Sequence, residues 1–290
     1  MFEPNATIAQ RLQQSFERLT RAERQLADSI LENYPVSGLG TITTVARNAD
    51  VSTPTVARMV QKLGYSGFPE FQEALRRELR DKVSDPIAKR AGWAGAVPDE
   101  HILNRFTDAV IGNIRQSLGQ IDIDGFDQSC ALLADLDRSV HVVGGRITRA
   151  LADYFFLHMQ VARPDVHRVQ TISNVWPHDL LDMKQDDVLV VFDVRRYENS
   201  TLKLAQMAAE RGVRIVLFTD QWCSPVSAFA AQYFACRIVV PSAWDSSVVV
   251  MLLLETVIAE VQERIWPVTR ERLQRLEGMF DSTRLFRKFT

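Results

Sequence analysis

The sequence predicts an all-α helix-turn-helix domain at the N-terminus, followed by an α/β domain with a doubly wound parallel sheet. Two patterns indicate this division. Apolar residues recur at helical spacing through about the first eighty residues, whereas short runs rich in valine and isoleucine alternate with helical segments after about residue 140. Strands of a parallel sheet are buried on both faces, so they are expected to read as continuous apolar runs.

The length of 290 residues and the mixed composition fit two globular domains. We predict a helix-turn-helix domain over residues 1–81, a linker and connecting helix over 82–124, an α/β ligand-binding domain over 125–265 and a helical tail over 266–290. The linker is placed at 82–100 because two prolines and two glycines interrupt the helical pattern there. The tail could cap the second domain or join a dimer.

The stretch TTVARNADVSTPTVARMVQKL, residues 43–63, predicts a helix, a tight turn and a second helix. The first helix is expected over residues 43–49. Ser52 or Thr53 is expected to cap the second helix with its hydroxyl, and Pro54 then falls in the first turn, where a missing N–H costs little.

The predicted second helix has two faces. Val56, Met59, Val60 and Leu63 recur at i, i+3, i+4 and i+7, which predicts one buried stripe. The polar face offers hydroxyls, an amide and cations, which are the groups that read base edges and hold phosphates. The predicted DNA-binding residues are Arg47, Ser52, Thr53, Thr55, Arg58, Gln61 and Lys62. An ordinary helical hairpin with a solvated polar face is the alternative, because short motifs recur by chance.

Charge restricts how DNA could be bound. The formal net charge is −2. Residues 1–90 hold 13 Lys and Arg against 11 Asp and Glu, a net of +2, and the remainder holds 21 against 25, a net of −4. The whole chain is therefore not a nonspecific binder of polyanions. DNA affinity must depend on where the cations lie and on two copies of the domain.

Cysteine and histidine usage argues against a metal or a disulfide framework. The three cysteines, Cys130, Cys223 and Cys236, form no C-x-x-C pair, and no two of the five histidines are spaced for a shared site on a helix. We expect no metal and no cofactor. The N-terminus lacks the regions of a signal peptide, and the apolar run at 248–254 is too short to span a bilayer. We therefore expect a cytoplasmic protein without membrane contact.

Four apolar runs and one weaker run predict the strands of the sheet, at residues 141–143, 188–192, 213–218, 234–240 and, more weakly, 166–169. Helices are expected between them at 148–160, 200–211, 224–231 and 246–265. In an open parallel sheet, ligands bind beyond the carboxyl ends of the strands. The loops expected there are 145–148, 171–175, 193–200, 219–224 and 241–246.

Context supports the helix-turn-helix. LTRAE, with Thr20 and Glu23, reads as a capping box, and GYSGFPEF leads into a further helix at 70–81. These segments, with the ADVS turn and TVARMVQKLG, resemble the N-terminal domain of the RpiR-type (MurR/RpiR) bacterial transcriptional regulators. The resemblance covers roughly the first eighty residues.

The second half is similar to a SIS domain, the flavodoxin-like fold of sugar-phosphate isomerases and sensors. The segments that carry this similarity are VVGGRITRALADYFF, LFTDQWCSPVSAFAA and LLETVIAE. The resemblance implies a ligand site at the strand ends. The predicted ligand-binding residues are Arg146, Thr148, Arg149, Ser173, Asp193, Arg195, Arg196, Thr219, Asp220 and Ser224.

One loop departs from the family pattern. Where sugar-phosphate binders of the family carry roughly S-x-S-G-x-T, this chain has DVRRYE, so that Glu198 replaces the threonine and the phosphate-binding hydroxyls are missing. In one interpretation Arg146, Arg195 and Arg196 form a cationic clamp for a different anion. In the other, the pocket has lost its ligand and the arginines are surface residues or pair with Asp193 and Glu198. We favour the retained but altered pocket.

The sequence thus predicts a regulator rather than an enzyme. Its partners would be double-stranded DNA with a palindromic operator, a small effector such as a sugar phosphate or another anionic metabolite, and further copies of the chain in a dimer or tetramer. A sugar-phosphate isomerase is the alternative, and Glu255 and His178 are its candidate bases. A helix charge and a loop residue explain these two side chains more simply.

Overall fold

Contacts divide the chain into two compact units. The computed structural model describes residues 6–32, 34–83, 85–93, 101–170, 174–284 and 286. Unit 1 contains residues 1–120, 220–228 and 235–249, and unit 2 contains residues 121–219, 229–234 and 250–290. Two segments that follow the fourth strand thus belong with the N-terminal helices, and the domain boundaries given above remain a prediction.

The N-terminal part of unit 1 is helical. Its α-helices are α1 (Ile8–Ser15), α2 (Arg21–Glu32), α3 (Ile42–Asn48), α4 (Thr53–Lys62), α5 (Phe68–Val83), α6 (Pro86–Trp93) and α7 (Ile102–Leu118). Helix α6 lies inside the predicted linker. Pro86 is its first residue, where proline is tolerated because the missing N–H would have no partner within the helix.

Capping residues fix where the first helices begin. Thr20 precedes α2, and its backbone N–H donates to Glu23 Oε2 at 2.8 Å, which confirms the predicted capping box. An equivalent box that was not predicted caps α1, where Thr7 and Gln10 bond to each other's backbone N–H. Apolar side chains of α1 to α5 meet in one buried cluster, which includes Leu26 and Phe71.

The remaining elements alternate between helix and strand. They are α8 (Ile123–Ala134), β1 (Val140–Gly144), α9 (Arg149–Ala162), β2 (Val166–Arg168), α10 (Trp176–Asp182), β3 (Val188–Asp193), α11 (Asn199–Ala209), β4 (Arg214–Asp220), β5 (Gln232–Cys236), α12 (Val248–Arg264) and α13 (Trp266–Thr283). Among the described residues the strands form one sheet in the order β2-β1-β3-β4-β5, with β1–β2, β1–β3 and β3–β4 paired in parallel. The predicted α/β fold with a parallel sheet flanked by helices is confirmed.

Two predicted elements were wrong in extent or type. The last strand ends at Cys236 rather than at residue 240. Side chains replace the ladder beyond that point, since the N–H of Arg237 donates to Ser117 Oγ at 2.9 Å and that of Ile238 to Gln221 Oε1 at 3.1 Å. The helix expected at 224–231 is a short 3-10 helix at Pro225–Phe229.

Helix α13 packs on α9 within unit 2, as expected for a tail that caps the second domain, and its part in a dimer stays a prediction. The buried hydroxyl of Thr269 donates to the carbonyl of Ala162 at 2.9 Å, and Arg272 donates to the carbonyl of Gln160 at 2.5 Å. The last carbonyls of an α-helix have no N–H partner within that helix. Side chains of α13 therefore supply the hydrogen bonds that the last turn of α9 would otherwise lack.

Candidate DNA interface and ligand site

The turn between α3 and α4 is fixed by backbone and cap interactions. The N–H of Val51 donates to the carbonyl of Ala46 at 2.9 Å. Asp50 has φ of 50°, a left-handed conformation that aspartate tolerates better than most residues. Ser52 caps α4, because its Oγ accepts a hydrogen bond from the Thr55 N–H at 3.3 Å.

The apolar stripe of α4 is buried as predicted. Val56, Met59, Val60 and Leu63 are each 0% exposed. Gly64 ends the helix with φ of 87°, which glycine adopts at little cost. With one face committed to the core, the opposite face of α4 must lie outward.

Most of the predicted DNA-binding side chains lie on that outward face. The exposed ones are Arg47, Ser52, Arg58, Gln61 and Lys62, and Thr53 is half-buried. Arg47 belongs to α3 and the others to α4 or its cap. The exposed side chains of α4 and its cap thus offer two cations, one amide and one hydroxyl to a nucleic acid, and Arg47 adds a third exposed cation on α3.

Thr55 corrects the prediction. It is only 6% exposed, and its hydroxyl lies 2.9 Å from Ser52 Oγ and 3.4 Å from Arg58 Nη2. The helical wheel placed Thr55 on the polar face, but in the first turn its hydroxyl bonds to the cap. Thr55 therefore positions Ser52 and Arg58 and does not present its own hydroxyl to a ligand.

Lys62 is paired with a carboxylate that the sequence analysis did not connect to it. Lys62 Nζ lies 2.7 Å from Glu23 Oε2, and the Glu23 side chain is only 3% exposed. Burial opposes ionisation, but hydrogen bonds from Lys62 and Thr20 more than offset it and lower the pKa of Glu23. The pair links the last turn of α4 to the first turn of α2.

A concave pocket of about 480 Å³ lies at this corner, lined by Thr20, Glu23, Arg58, Gln61 and Lys62. The capping box motif at Thr20 and Glu23 could be read from the sequence as a helix start. Its position beside α4 could not, because it depends on how α2 packs against α4. The pocket therefore adds Thr20 and Glu23 to the neighbourhood of the predicted DNA-binding face.

In unit 2, the loops after β1 and β3 lie side by side because their strands are neighbours. The parallel register pairs Gly144 with Phe192, so both strands end at the same level. Gly144 is required at this point, since a Cβ there would lie 2.6 Å from the carbonyl oxygen of Thr148. The ligand residues predicted on these two loops are therefore brought together.

The hydroxyl of Thr148 bonds to both loops. It accepts a hydrogen bond from the Gly145 N–H at 2.8 Å and donates to the carbonyl of Phe192 at 2.7 Å. Thr148 is 9% exposed. The prediction that this hydroxyl serves a ligand is therefore not supported by its geometry, because it already fastens the β1 loop to the end of β3.

Glu198, the residue before α11, contacts the loop that follows β1. Its Oε1 accepts a hydrogen bond from the Arg146 N–H at 2.7 Å. Its other oxygen lies 3.5 Å from Ser200 Oγ. The carboxylate that replaces the family's threonine is thus bound to the backbone of the neighbouring loop.

The four predicted ligand-site arginines differ in exposure. Arg146, Arg149 and Arg196 are exposed, and Arg195 is half-buried. Arg149 Nε lies 3.5 Å from Asp153 Oδ2 one turn along α9. Among the predicted ligand residues, Ser173 lies outside the described residues.

Three further predicted ligand residues are buried and hydrogen-bonded internally. Thr219 donates to the carbonyl of Asp193 at 2.8 Å, which joins β4 to β3. Asp220 accepts from the Trp222 N–H at 2.9 Å, and Ser224 accepts from the Val226 N–H at 3.1 Å.

These burials correct the prediction of open polar loops after β4. Thr219, Asp220 and Ser224 are 0% exposed and Asp193 is 2% exposed. Polar groups at buried turns bond to nearby backbone because an unpaired one is costly. Asp220 and Ser224 moreover belong to unit 1, unlike the loops after β1 and β3.

The two candidate isomerase bases, Glu255 and His178, both lie at the surface. Glu255 was expected on a buried helix, but it is exposed, and Tyr154 donates a hydrogen bond to its Oε1 at 2.8 Å. That hydrogen bond raises the pKa of Tyr154. His178 is also exposed. Both observations agree with the simpler interpretation of these residues.

Among the described residues, no group of three or more His, Cys, Asp or Glu side chains could hold a metal ion. Within that same part of the chain, every helix is too short or too polar to cross a membrane.

Each half of the chain matches a known domain family. Residues 6–82 match the model of the helix-turn-helix domain of the rpiR family, and residues 133–259 match the SIS domain. The chain is 24% identical over 221 residues to the HTH-type transcriptional regulator HexR of Pseudomonas aeruginosa, covering 73% of each protein. It is 41% identical over 217 residues to the bifunctional protein glk of Burkholderia mallei, which is 74% of this chain but 33% of that protein.

A solved structure has the same fold over nearly the full length. It is the Vibrio vulnificus NanR protein complexed with ManNAc-6P, with a TM-score of 0.54, 18% identity, and coverage of 95% of this chain and 98% of that one. Both family matches, their order along the chain and the relative HexR point to the same family of regulators. The chain belongs to the RpiR-type transcriptional regulators, with a helix-turn-helix domain followed by a SIS domain.

Proposed function

We propose that the exposed face of α4 reads a two-fold DNA operator and that a small, anionic, sugar-like ligand at the SIS strand ends changes operator affinity. The observation that carries the DNA part is the division of α4 into a buried apolar face and an exposed face with Arg58, Gln61 and Lys62. Arginine and glutamine side chains can each make two hydrogen bonds to a base edge in the major groove.

Two observations support an anionic ligand at the SIS strand ends: the arginines of the β1 and β3 loops, and a solved structure with the same fold. Arg146, Arg195 and Arg196 follow two adjacent strands, and guanidinium groups bind phosphate or carboxylate with two hydrogen bonds. The NanR protein was solved with ManNAc-6P, which is a sugar phosphate. Binding of the two ligands must be coupled reciprocally: whatever factor the effector applies to operator affinity, the operator applies to effector affinity.

Several finer features belong to the same proposal. A palindromic operator requires two copies of the chain, so the working form is a homodimer or tetramer in the cytoplasm. The domain limits are 1–81 for DNA binding and 125–265 for the ligand. The chain has no catalytic role, because Glu255 is tied to Tyr154 and the helix-turn-helix has no use in a plain isomerase.

The first experiment is selection of DNA fragments by the purified full-length protein from a bacterial genome over a range of salt concentrations. We expect a palindromic site whose half-sites lie about one helical turn apart. Recovery of no preferred sequence even at low salt contradicts the proposal.

A matched pair of variants then locates the interface. Arg58→Ala is expected to weaken binding to the selected site by about tenfold to a hundredfold, because it removes an exposed cation from the reading face. Arg80→Ala removes an arginine that is 64% exposed on α5 and pairs with Glu73. We expect it to change binding much less. Equal affinity of the Arg58 variant and the wild type would refute the assignment of α4.

A further inference from the structure

The contact between Glu198 and the β1 loop is the starting point. Glu198 is the residue before α11, and its Oε1 accepts the Arg146 N–H at 2.7 Å. A carboxylate bound to a backbone amide forms a charge-assisted hydrogen bond, which is stronger than one between neutral groups. The Arg146 amide therefore already has an anionic partner within the chain.

The β1 loop is shaped to admit this carboxylate. A Cβ added at Gly145 would lie 2.8 Å from Glu198 Oε1 and 3.1 Å from the carboxyl carbon, which is closer than such atoms approach. Only glycine at this position leaves the carboxylate where it is. Thr148 holds the Gly145 N–H and the carbonyl of Phe192, so the loop keeps its form on both sides of the contact.

The surrounding charges would attract an anion from solution. Arg146, Arg149 and Arg196 are exposed, and Arg195 is half-buried. The arginines would attract an incoming phosphate. The Glu198 carboxylate would repel the phosphate and already occupies the Arg146 amide.

We propose that Glu198 is an internal competitor for the anionic group of the effector. The carboxylate occupies the Arg146 amide when the effector is absent, and a phosphate or carboxylate ligand must displace it to bind. Glu198 therefore sets the affinity and selects ligands whose remaining groups offset the displacement. This inference rests on the proposed ligand site and names the residue that determines its specificity.

Two variants of the full-length protein test the competition, with inorganic phosphate as the probe in isothermal titration calorimetry. Glu198→Ala vacates the amide, and we expect phosphate to bind about tenfold to a hundredfold more tightly than to the wild type. Glu198→Gln keeps an oxygen acceptor but removes the charge, so its gain is expected to be smaller. The expected order of affinity is Ala, then Gln, then wild type.

Controls locate the effect. Glu210→Gln removes an exposed carboxylate just beyond the other end of α11 and is expected to bind phosphate as the wild type does. Adding Arg195→Ala to Glu198→Ala should abolish the gain, whereas phosphate bound elsewhere would be unaffected. Glu198→Gln should fold normally even if Glu198→Ala does not, because the Arg146 N–H keeps an acceptor.

The inference is overturned if both folded variants bind phosphate no better than the wild type, or if the gain survives Arg195→Ala. Its failure is distinct from failure of the proposed function. Operator binding by the Glu198 variants in the absence of ligand tests the regulator separately, since Glu198 is not part of the DNA-binding face. A wild type that selects no DNA sequence would refute the regulator regardless of the phosphate result.

Discussion

Helix α4 and the strand-end loops of the SIS domain carry similar side chains, but they use them differently. On α4, Arg58 and Gln61 project from a face whose opposite side is fully buried. In the loops, Thr148 and Glu198 bond to backbone groups of neighbouring segments. A polar side chain on a helix surface is thus available to a partner, whereas a polar side chain at a strand end often bonds to backbone groups of its own chain.

The comparison predicts its largest effect at Thr148. Thr148→Val keeps the shape of the side chain but leaves the Gly145 N–H and the Phe192 carbonyl without their partner. Two buried groups deprived of a partner should lower the free energy of unfolding by about 3 kcal/mol. Hydrogen exchange in peptides that contain β1 and β3 would measure the loss.

Arg149→Ala is the control, because this neighbouring side chain is exposed and should change stability by less than about 0.5 kcal/mol. If Thr148→Val is as stable as the wild type, the hydroxyl is not needed by the fold. The two regions would then not differ in the way described.

A smaller effect is expected from Glu78, a buried carboxyl group in the helix-turn-helix core. Burial raises the pKa of Glu78 to about 7, despite hydrogen bonds from Tyr34 and the Ile8 N–H. The folded state then binds this proton more tightly than the unfolded chain. The contribution of Glu78 to stability is therefore present below about pH 4.5 and is lost as the pH rises to about 7.

Glu78→Gln should remove that dependence, so the stability of the variant relative to the wild type should rise by about 2 kcal/mol between pH 5 and pH 7.5. Hydrogen exchange of α1 and α5, corrected for intrinsic rates, would follow it in the full-length chain. A pH-independent difference between the two proteins would show that Glu78 titrates normally. This outcome would also mean that the interior of the domain is less enclosed than its apolar cluster indicates.

The smallest expected effect separates stability from DNA reading at Ser52. Ser52→Ala removes the cap of α4 and should destabilise the domain by about 1 kcal/mol. Ser52→Asp keeps a capping oxygen but places a negative charge on the proposed DNA face. We therefore expect near wild-type thermal stability and weaker operator binding for Ser52→Asp. Unchanged operator affinity would mean that Ser52 lies away from the DNA.

Periodicity predicted the helix-turn-helix well because each side chain's environment there follows from its place on one helix. The stripe of Val56, Met59, Val60 and Leu63 and the cap at Ser52 are confirmed. Thr55 was wrong because a residue in the first turn can bond to the cap, and the wheel does not describe that bond. The Lys62–Glu23 pair joins residues 39 positions apart and needs the packing of two helices.

The SIS half shows a different limit. The apolar runs predicted the parallel sheet, and the strand-end rule placed the loops after β1 and β3 at the same edge of it, where the structure shows them as neighbours. The sequence could not show which polar groups near the strand ends stay accessible to a ligand and which bond within the chain. Thr148, Thr219 and Asp220 all carry groups suited to a ligand, yet each bonds to backbone of its own unit.

The ion pair between Lys62 and Glu23 has a consequence for how DNA binding responds to ionic strength. A cation that neutralises a phosphate releases a counterion, and each such event makes the slope of log affinity against log salt concentration about 0.9 more negative. Lys62 already has a carboxylate at 2.7 Å, so it brings little uncompensated charge to the backbone of the duplex. The salt dependence of operator binding should therefore be determined by arginines such as Arg47 and Arg58, and Lys62 should serve mainly to hold α4 against α2.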